Sequence, residues 1–313
     1  MHFLPTSEQL ELQRGVRDLL DARFPLDKLP AGYDASVWDS LVETGVFSLR
    51  TELELGLADT VLVFEELGRA CVPGPLVGTF LAAGMADGPV TVVDAADTPL
   101  LVPHLDIAAA VLVLDQTEAR LVPTAELAGH AVAEPVDPLT PLHELSAVPR
   151  GEAAATGDDV VRLRREGALL TAALQVGIAA RLTDLAVDYA KQREQFGRTI
   201  GSFQAVKHIC ADMFVRAELA RVAVHAAAVT SDDDTSDDDT VGDTVGDAAR
   251  AVAGAKLLAD EAATANGRSC VQVHGGMGFT WEVPVHFFLK RAWLHATEFG
   301  TADDHAEALA ELL

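Results

Sequence analysis

Hydrophobic residues recur with two different periods along this 313-residue chain. From Thr6 to about Ala83 the spacing is helical. Thr6-Ser7-Glu8-Gln9 offers a capping residue and then acidic and amide side chains, and Leu10, Val16, Leu19 and Leu20 fall on one side of the helix this would start. A second helix is expected over Ala35–Thr44, stopped by Gly45, and a third over Asp59–Arg69, broken by Pro73-Gly74-Pro75, with a further helical stretch to Met85. Between Gly88 and Arg162 the period changes. Pro89–Val93, Ala109–Leu114 and Ala119–Pro123 are short apolar runs between turn formers and read as strands, with weaker strand patterns at Glu152–Ala155 and Val160–Leu163. From Gly167 the helical period returns, giving helices over Ala168–Lys191, Phe203–Thr230, Ala248–Val273, Pro284–Ala296 and Ala302–Leu312. Long helices joined by short loops argue for an up-down bundle. The pattern predicts a mainly α fold with a small β-domain: an N-terminal helical domain (1–87), a reduced β-domain (88–163) and a C-terminal four-helix-type bundle (164–313).

Composition narrows the function. Hydrophobic residues make up 49% of the chain and aromatics only 5%, so the core is built mostly from Ala, Leu and Val. The formal net charge of -25 would repel phosphate backbones and anionic membrane surfaces, which argues against both as partners. Three dispersed cysteines (Cys71, Cys210, Cys270) without a CxxC pair read as reduced core thiols in a cytoplasm. The start of the chain lacks a basic region followed by an apolar run, and no uninterrupted apolar stretch of roughly 18 residues suggests a membrane span. Ser231–Asp247 carries two Asp triplets and the near-repeat Thr240-Val-Gly-Asp, Thr244-Val-Gly-Asp, and reads as an extended acidic loop. Clustered carboxylates suit calcium, but the EF-hand spacing is absent. His208, His274 and His295 show no metal-ligand spacing, so no metal is expected.

Two motifs carry the candidate chemistry. Tyr189-Ala-Lys-Gln-Arg193-Glu-Gln195-Phe196-Gly197-Arg-Thr-Ile200-Gly-Ser-Phe-Gln204 resembles the acyl-CoA dehydrogenase signature YxxxRxQFGxxIxxFQ. Gln272-Val-His274-Gly275-Gly276-Met-Gly278-Phe279 resembles that family's second signature, QxxGGxGF. Taken alone, Arg193 is a permanent fork of donors suited to a pyrophosphate. Gly197 allows a sharp turn between helices, and Gly275 and Gly276 let backbone approach a flat or phosphorylated ligand. A Gly-Gly pair after a helix is also what a C-cap would provide.

The resemblance implies an acyl-CoA dehydrogenase-like fold and FAD as cofactor. It places Arg193, Gln195, Phe196, Ile200 and Gln204 near the adenosine diphosphate half of an FAD bound mainly by a neighbouring subunit, together with Gln272, Gly275 and Gly276. Phe196 reads equally as a stacking wall or as core. The implied reaction is αβ-desaturation of an acyl-CoA thioester, with an electron-transfer flavoprotein or similar acceptor. Since CoA is polyanionic, such an acidic chain would need basic residues at its site. The family's two flavin-facing β-domain stretches, one like TEPxxGSD and one with Trp-Ile-Thr, are not seen between Gly88 and Leu163. The base is a carboxylate just before a Gly-Thr near the C-terminus, or one ten residues before a Gly that matches Gly177. Here the candidates, Glu298 and Glu166, each lie one position early, and surface carboxylates are the competing reading. On a helix a one-residue offset turns a side chain by about 100°. The shortened chain with retained interface motifs resembles the smaller subunit of actinobacterial heteromeric, sterol side-chain-type dehydrogenases. A second, longer subunit would then supply most of the flavin site and the base in a heterotetramer. A self-sufficient homo-oligomer using Glu298 or Glu166, and a purely structural partner, are the alternatives.

Overall fold

The Thr6 capping box forms in full. Gln9 N donates to Thr6 Oγ1 (3.2 Å) and Thr6 N to Gln9 Oε1 (2.9 Å), starting helix α1 (Ser7–Arg23). A computed structural model of the chain describes residues 3–234 and 244–311. The helices α2 (Ala35–Glu43), α3 (Leu57–Arg69) and α4 (Leu76–Leu81) follow, then seven strands. The remaining elements are α5 (Asp158–Gln192), a β8–β9 hairpin (Glu194–Gln195 and Arg198–Thr199), α6 (Gln204–Asp234), α7 (Thr244–His274), α8 (Val285–His295) and α9 (Ala302–Glu311). They fall into two compact units that alternate along the sequence.

One unit joins Met1–Pro30, Leu57–Val72 and Leu169–Leu313 and is helical. Its close packing depends on two glycines. A Cβ on Gly177 would overlap Glu65 O of α3 and lie 2.5 Å from Arg69 N, and one on Gly68 would overlap Leu174 O, so α3 and α5 meet backbone to backbone. Gly177→Ala must push these helices apart. Overpacking of this kind costs about 1–3 kcal/mol or more, so thermal unfolding of this variant should begin several degrees lower. The doublet Glu65-Glu66 ties α3 to two neighbours. Glu66 is gripped in bidentate fashion by Arg17 of α1 (2.6 and 2.8 Å), and Glu65 accepts from Arg221 Nε of α6 (2.8 Å). The N-terminus of α3 is capped from a distance: Leu57 N and Ala58 N donate to the Asp232 carboxylate (2.7 and 2.9 Å).

The other unit joins Ala31–Gly56 and Pro73–Ala168. A four-stranded sheet has the order β1-β3-β4-β7 and a three-stranded sheet the order β2-β6-β5. In these, β1 is Val90–Asp94, β2 Leu100–Pro103, β3 Ala110–Leu114, β4 Glu118–Pro123, β5 Gly129–Ala131, β6 Leu142–Leu145 and β7 Ala153–Thr156. Val93, Val111, Val113 and Val122 of the first sheet share a core with Leu100, Val102 and Leu145 of the second. Only β1–β3 is parallel. Helix α4 lies against β1, where Val90 N donates to Thr79 Oγ1 (3.0 Å).

Several expectations change. Val160–Leu163 is not a strand but the first turns of α5, with Val160 and Leu163 buried at helical spacing while Val161 is exposed. Ser231–Asp234 and Thr244–Asp247, expected as loop, belong to α6 and α7; the remainder of the acidic segment lies outside the described residues. Gly197 does not join two helices directly but sits in the β8–β9 turn. Cys71, Cys210 and Cys270 are free thiols, with Cys210 partly exposed.

Candidate functional site

The first motif is a hairpin standing on the end of α5. Arg193 N donates to Tyr189 O (2.8 Å), closing the helix, and Ile200 N donates to Arg193 O (2.8 Å), returning the chain. Between them Glu194 pairs with Thr199 and Gln195 with Arg198. The turn residues Phe196 (φ 54°) and Gly197 (φ 76°) are both left-handed, the conformation of a two-residue type I′ hairpin. Glycine suits the second position, but a phenylalanine in this region costs about 1–2 kcal/mol. Its ring is 92% exposed, which removes the core reading of Phe196, and it approaches Phe203 edge-on (6.2 Å, 89°). Arg198 covers the Phe203 ring at 4.1 Å.

The Arg193 guanidinium is exposed and makes no ion pair among the described residues. Gln195 is exposed and its amide donates back to Glu194 O (2.7 Å), Ile200 is half-buried, and exposed Gln204 meets His208 across 3.1 Å. Between Tyr189 and Cys210 the chain carries Lys191, Arg193, Arg198 and Lys207 against a single carboxylate, Glu194. In a chain of net charge -25 this is a local reversal of sign, which suits a phosphorylated ligand.

The second motif ends α7. His274 is its last residue, Gly275 (φ 60°) turns the chain, and Gly278 folds it back so closely that a Cβ there would sit 2.8 Å from Val271 O. Gly275 and Gly276 are exposed and a Cβ on either would meet nothing within 4 Å, so the backbone borders open space; Gln272 is exposed one turn before.

Three contacts between α5 and α7 bring the motifs to one end of the helical unit. Gln175 Nε2 donates to Asp260 Oδ1 (3.0 Å). Asn266 Nδ2 lies 3.2 Å from both Ala179 O and Thr183 Oγ1. Tyr189 stacks on His274 with ring centroids 4.1 Å apart and planes inclined by 21°. Numbers rise together on both helices, so α5 and α7 are parallel. The first and last contacts are separated by 14 residues on each, about 21 Å of helix. Arg193, Gln195, Phe196, Ile200 and Gln204 thus share an end of the unit with Gln272, Gly275 and Gly276. In the sequence only the nearly equal spacing of these residues signals the contacts.

Neither candidate base is a solvated surface carboxylate. Glu166, in the β-containing unit, is buried and paired with Arg50 (2.8 Å) and Arg162 (3.6 Å). Glu298, in the helical unit, is 27% exposed and lies 2.7 Å from His295 Nδ1. Burial pushes its pKa up, but His295, Lys256 and Arg291 outweigh this and hold it below the ordinary carboxylate range. That direction is opposite to the one a base in a dry pocket needs. Beneath it lies a buried pair. Lys256 Nζ donates to Asp260 (2.5 Å) and to His295 O (3.1 Å), and burial raises the Asp260 pKa against the pull of Lys256. The loop that follows is held by His305 Nε2 on Phe299 O (3.1 Å), with Phe299 (φ 56°) and Gly300 (φ 102°) both left-handed. Phe299, not a carboxylate, precedes Gly300-Thr301.

Residues 164–313 match the family described as acyl-CoA dehydrogenase, C-terminal domain. The chain is 37% identical over 284 residues to the acyl-CoA dehydrogenase IpdE2 of Mycobacterium tuberculosis, covering 83% of this chain and 81% of that protein. Its fold matches a chain of the ChsE4-ChsE5 complex from Mycobacterium tuberculosis with a TM-score of 0.82, at 23% identity over 99% of this chain and 98% of that one. It also matches a chain of the Tcur3481-Tcur3483 steroid ACAD with a TM-score of 0.81, at 25% identity over 97% of both chains.

Proposed function

Because this chain belongs to the acyl-CoA dehydrogenase family, we propose that it is the shorter subunit of a heteromeric FAD-dependent dehydrogenase and completes the flavin site of a longer partner. The observation that carries this reading is the joint placement of the Arg193 hairpin and the Gly275-Gly276 turn at one end of the helical unit, with the local excess of positive charge. The residues present fit a dinucleotide. Arg193 offers an exposed donor fork to a pyrophosphate, Gln195, Gln204 and Gln272 offer amides, exposed Phe196 offers a stacking face, and the paired glycines leave room for close approach. FAD, when bound, supplies the hydride acceptor for αβ-desaturation of an acyl-CoA thioester.

This chain does not supply the base. Glu298 is held to His295 and Glu166 to two arginines, so the α-proton is taken by a carboxylate of the partner subunit. In the active complex, Glu298→Gln should change kcat less than tenfold, where loss of a true base costs about 10²–10⁴-fold. The absence of the two flavin-facing β-domain sequences between Gly88 and Leu163 agrees with this division of labour. The naming of one structural neighbour as a steroid ACAD favours a bulky acyl-CoA, such as a steroid side-chain thioester, as substrate. Electrons would pass to an electron-transfer flavoprotein or similar acceptor.

The test is to purify this chain alone and with a longer acyl-CoA dehydrogenase chain encoded beside it. Flavin absorbance and activity should appear only in the joint complex. A yellow, active homo-oligomer of this chain alone would refute the proposal.

A further inference from the structure

We propose that Tyr189 and His274 are positioning residues whose stacked rings fix the spacing of the two candidate flavin-contacting segments; this rests on the flavin-site reading above. Each ring is one short step from a segment it would control. Tyr189 O accepts the Arg193 N–H (2.8 Å), so a shift of Tyr189 moves the base of the hairpin. His274 is covalently joined to Gly275, the first residue of the glycine turn. The His274 ring is itself fixed. Its Nδ1 lies 2.8 Å from Cys270 O, and because a carbonyl only accepts, Nδ1 carries the proton. Burial lowers the His274 pKa, favouring this neutral form.

The contact also differs in kind from those below it. Gln175–Asp260 and Asn266–Thr183 are hydrogen bonds in the buried interior. Tyr189–His274 lies in the last turn of both helices, where ends fray. Half-buried Tyr189 is reached by water there, which competes with hydrogen bonds more than with stacked rings. A stacked pair gives a fixed separation at the level where Arg193 and Gly275 emerge.

FAD titration of the deflavinated heteromeric complex tests this. Tyr189→Leu and His274→Leu should each weaken FAD binding about three- to tenfold, with the double variant no weaker than His274→Leu alone, because the stack is already lost in that single variant. Tyr189→Phe should restore binding, since the ring and not the hydroxyl makes the contact. If the leucine variants fail to fold, His274→Gln, which keeps a donor for Cys270 O and loses the stack, should show the same weakening. Unchanged FAD affinity, additive losses, or Tyr189→Phe as damaging as Tyr189→Leu would overturn the inference. Arg193→Ala in the same assay separates the two readings. If it loses FAD while the ring variants do not, only the positioning role falls; if it too retains FAD, the flavin-site reading falls and the positioning role with it.

Discussion

Lys256→Met should lower the stability of the helical unit by about 3–5 kcal/mol, the usual cost of removing one partner from a buried ion pair. Lys256 has no exposed surface and its ammonium serves Asp260 and His295 O together. Without it, Asp260 keeps the Gln175 amide, and burial drives its carboxyl toward protonation. The loop after α8 loses its anchor at the His295 carbonyl, and Glu298 loses one of the charges that keep it ionised. Thermal unfolding should fall by at least about 6 °C. The double variant Lys256→Met/Asp260→Leu should recover most of this loss, because replacing both charges with apolar groups leaves neither uncompensated. An unchanged melting temperature in the single variant would show that the pair contributes nothing.

Arg193→Ala should weaken FAD binding to the heteromeric complex about tenfold to hundredfold. A hydrogen bond to a charged group contributes roughly 1.5–3 kcal/mol, and each 1.4 kcal/mol is tenfold in affinity. The fold should not suffer, since the side chain is exposed and makes no ion pair among the described residues; the helix closure uses the Arg193 backbone. Arg193→Lys should recover part of the affinity but not all, because an ammonium gives charge without the planar fork. Fluorescence titration of the deflavinated complex measures both. Loss of melting temperature parallel to loss of FAD would mean that Arg193 acts through folding instead.

The helical period made most of the fold legible. The Thr6 capping box, the α3 stripe and the long helices of the C-terminal half lie within a few residues of their expected ends, except that α5 begins at Asp158, ten residues before the expected Ala168. Short-range patterns misled where local chemistry was overruled. Val160-Val161 has the β-branched look of a strand, yet α5 takes it because Val160 and Leu163 bury one turn apart and Arg162 pairs with Asp159 and Glu166 along the helix. Asp232 reads as part of a repelling acidic run, but its carboxylate caps α3, a tertiary use invisible in sequence. Strands β2, β5 and β6 are three or four residues long and contain Pro103, His130, His143 and Glu144, too short and too polar for an alternation signal.

The site divides in the same way. Its residues were legible as motifs, because a turn between left-handed Phe196 and Gly197 and the Gly275-Gly276 approach both demand particular residue types at fixed spacing. Their common location was not, since it depends on the register of α5 against α7, set by Gln175, Asn266 and Tyr189 contacts between residues 85 to 87 apart in the chain. The offset of Glu298 was visible, but its ties to His295 and Lys256 were not.

The most direct measurement is a crystal structure of the FAD-loaded heteromeric complex. The Arg193 guanidinium and the backbone of Gly275-Gly276 should both lie within hydrogen-bonding or contact distance of one FAD held mainly by the longer subunit. A flavin that touches neither segment, or two segments that face different ligands, would contradict the assignment.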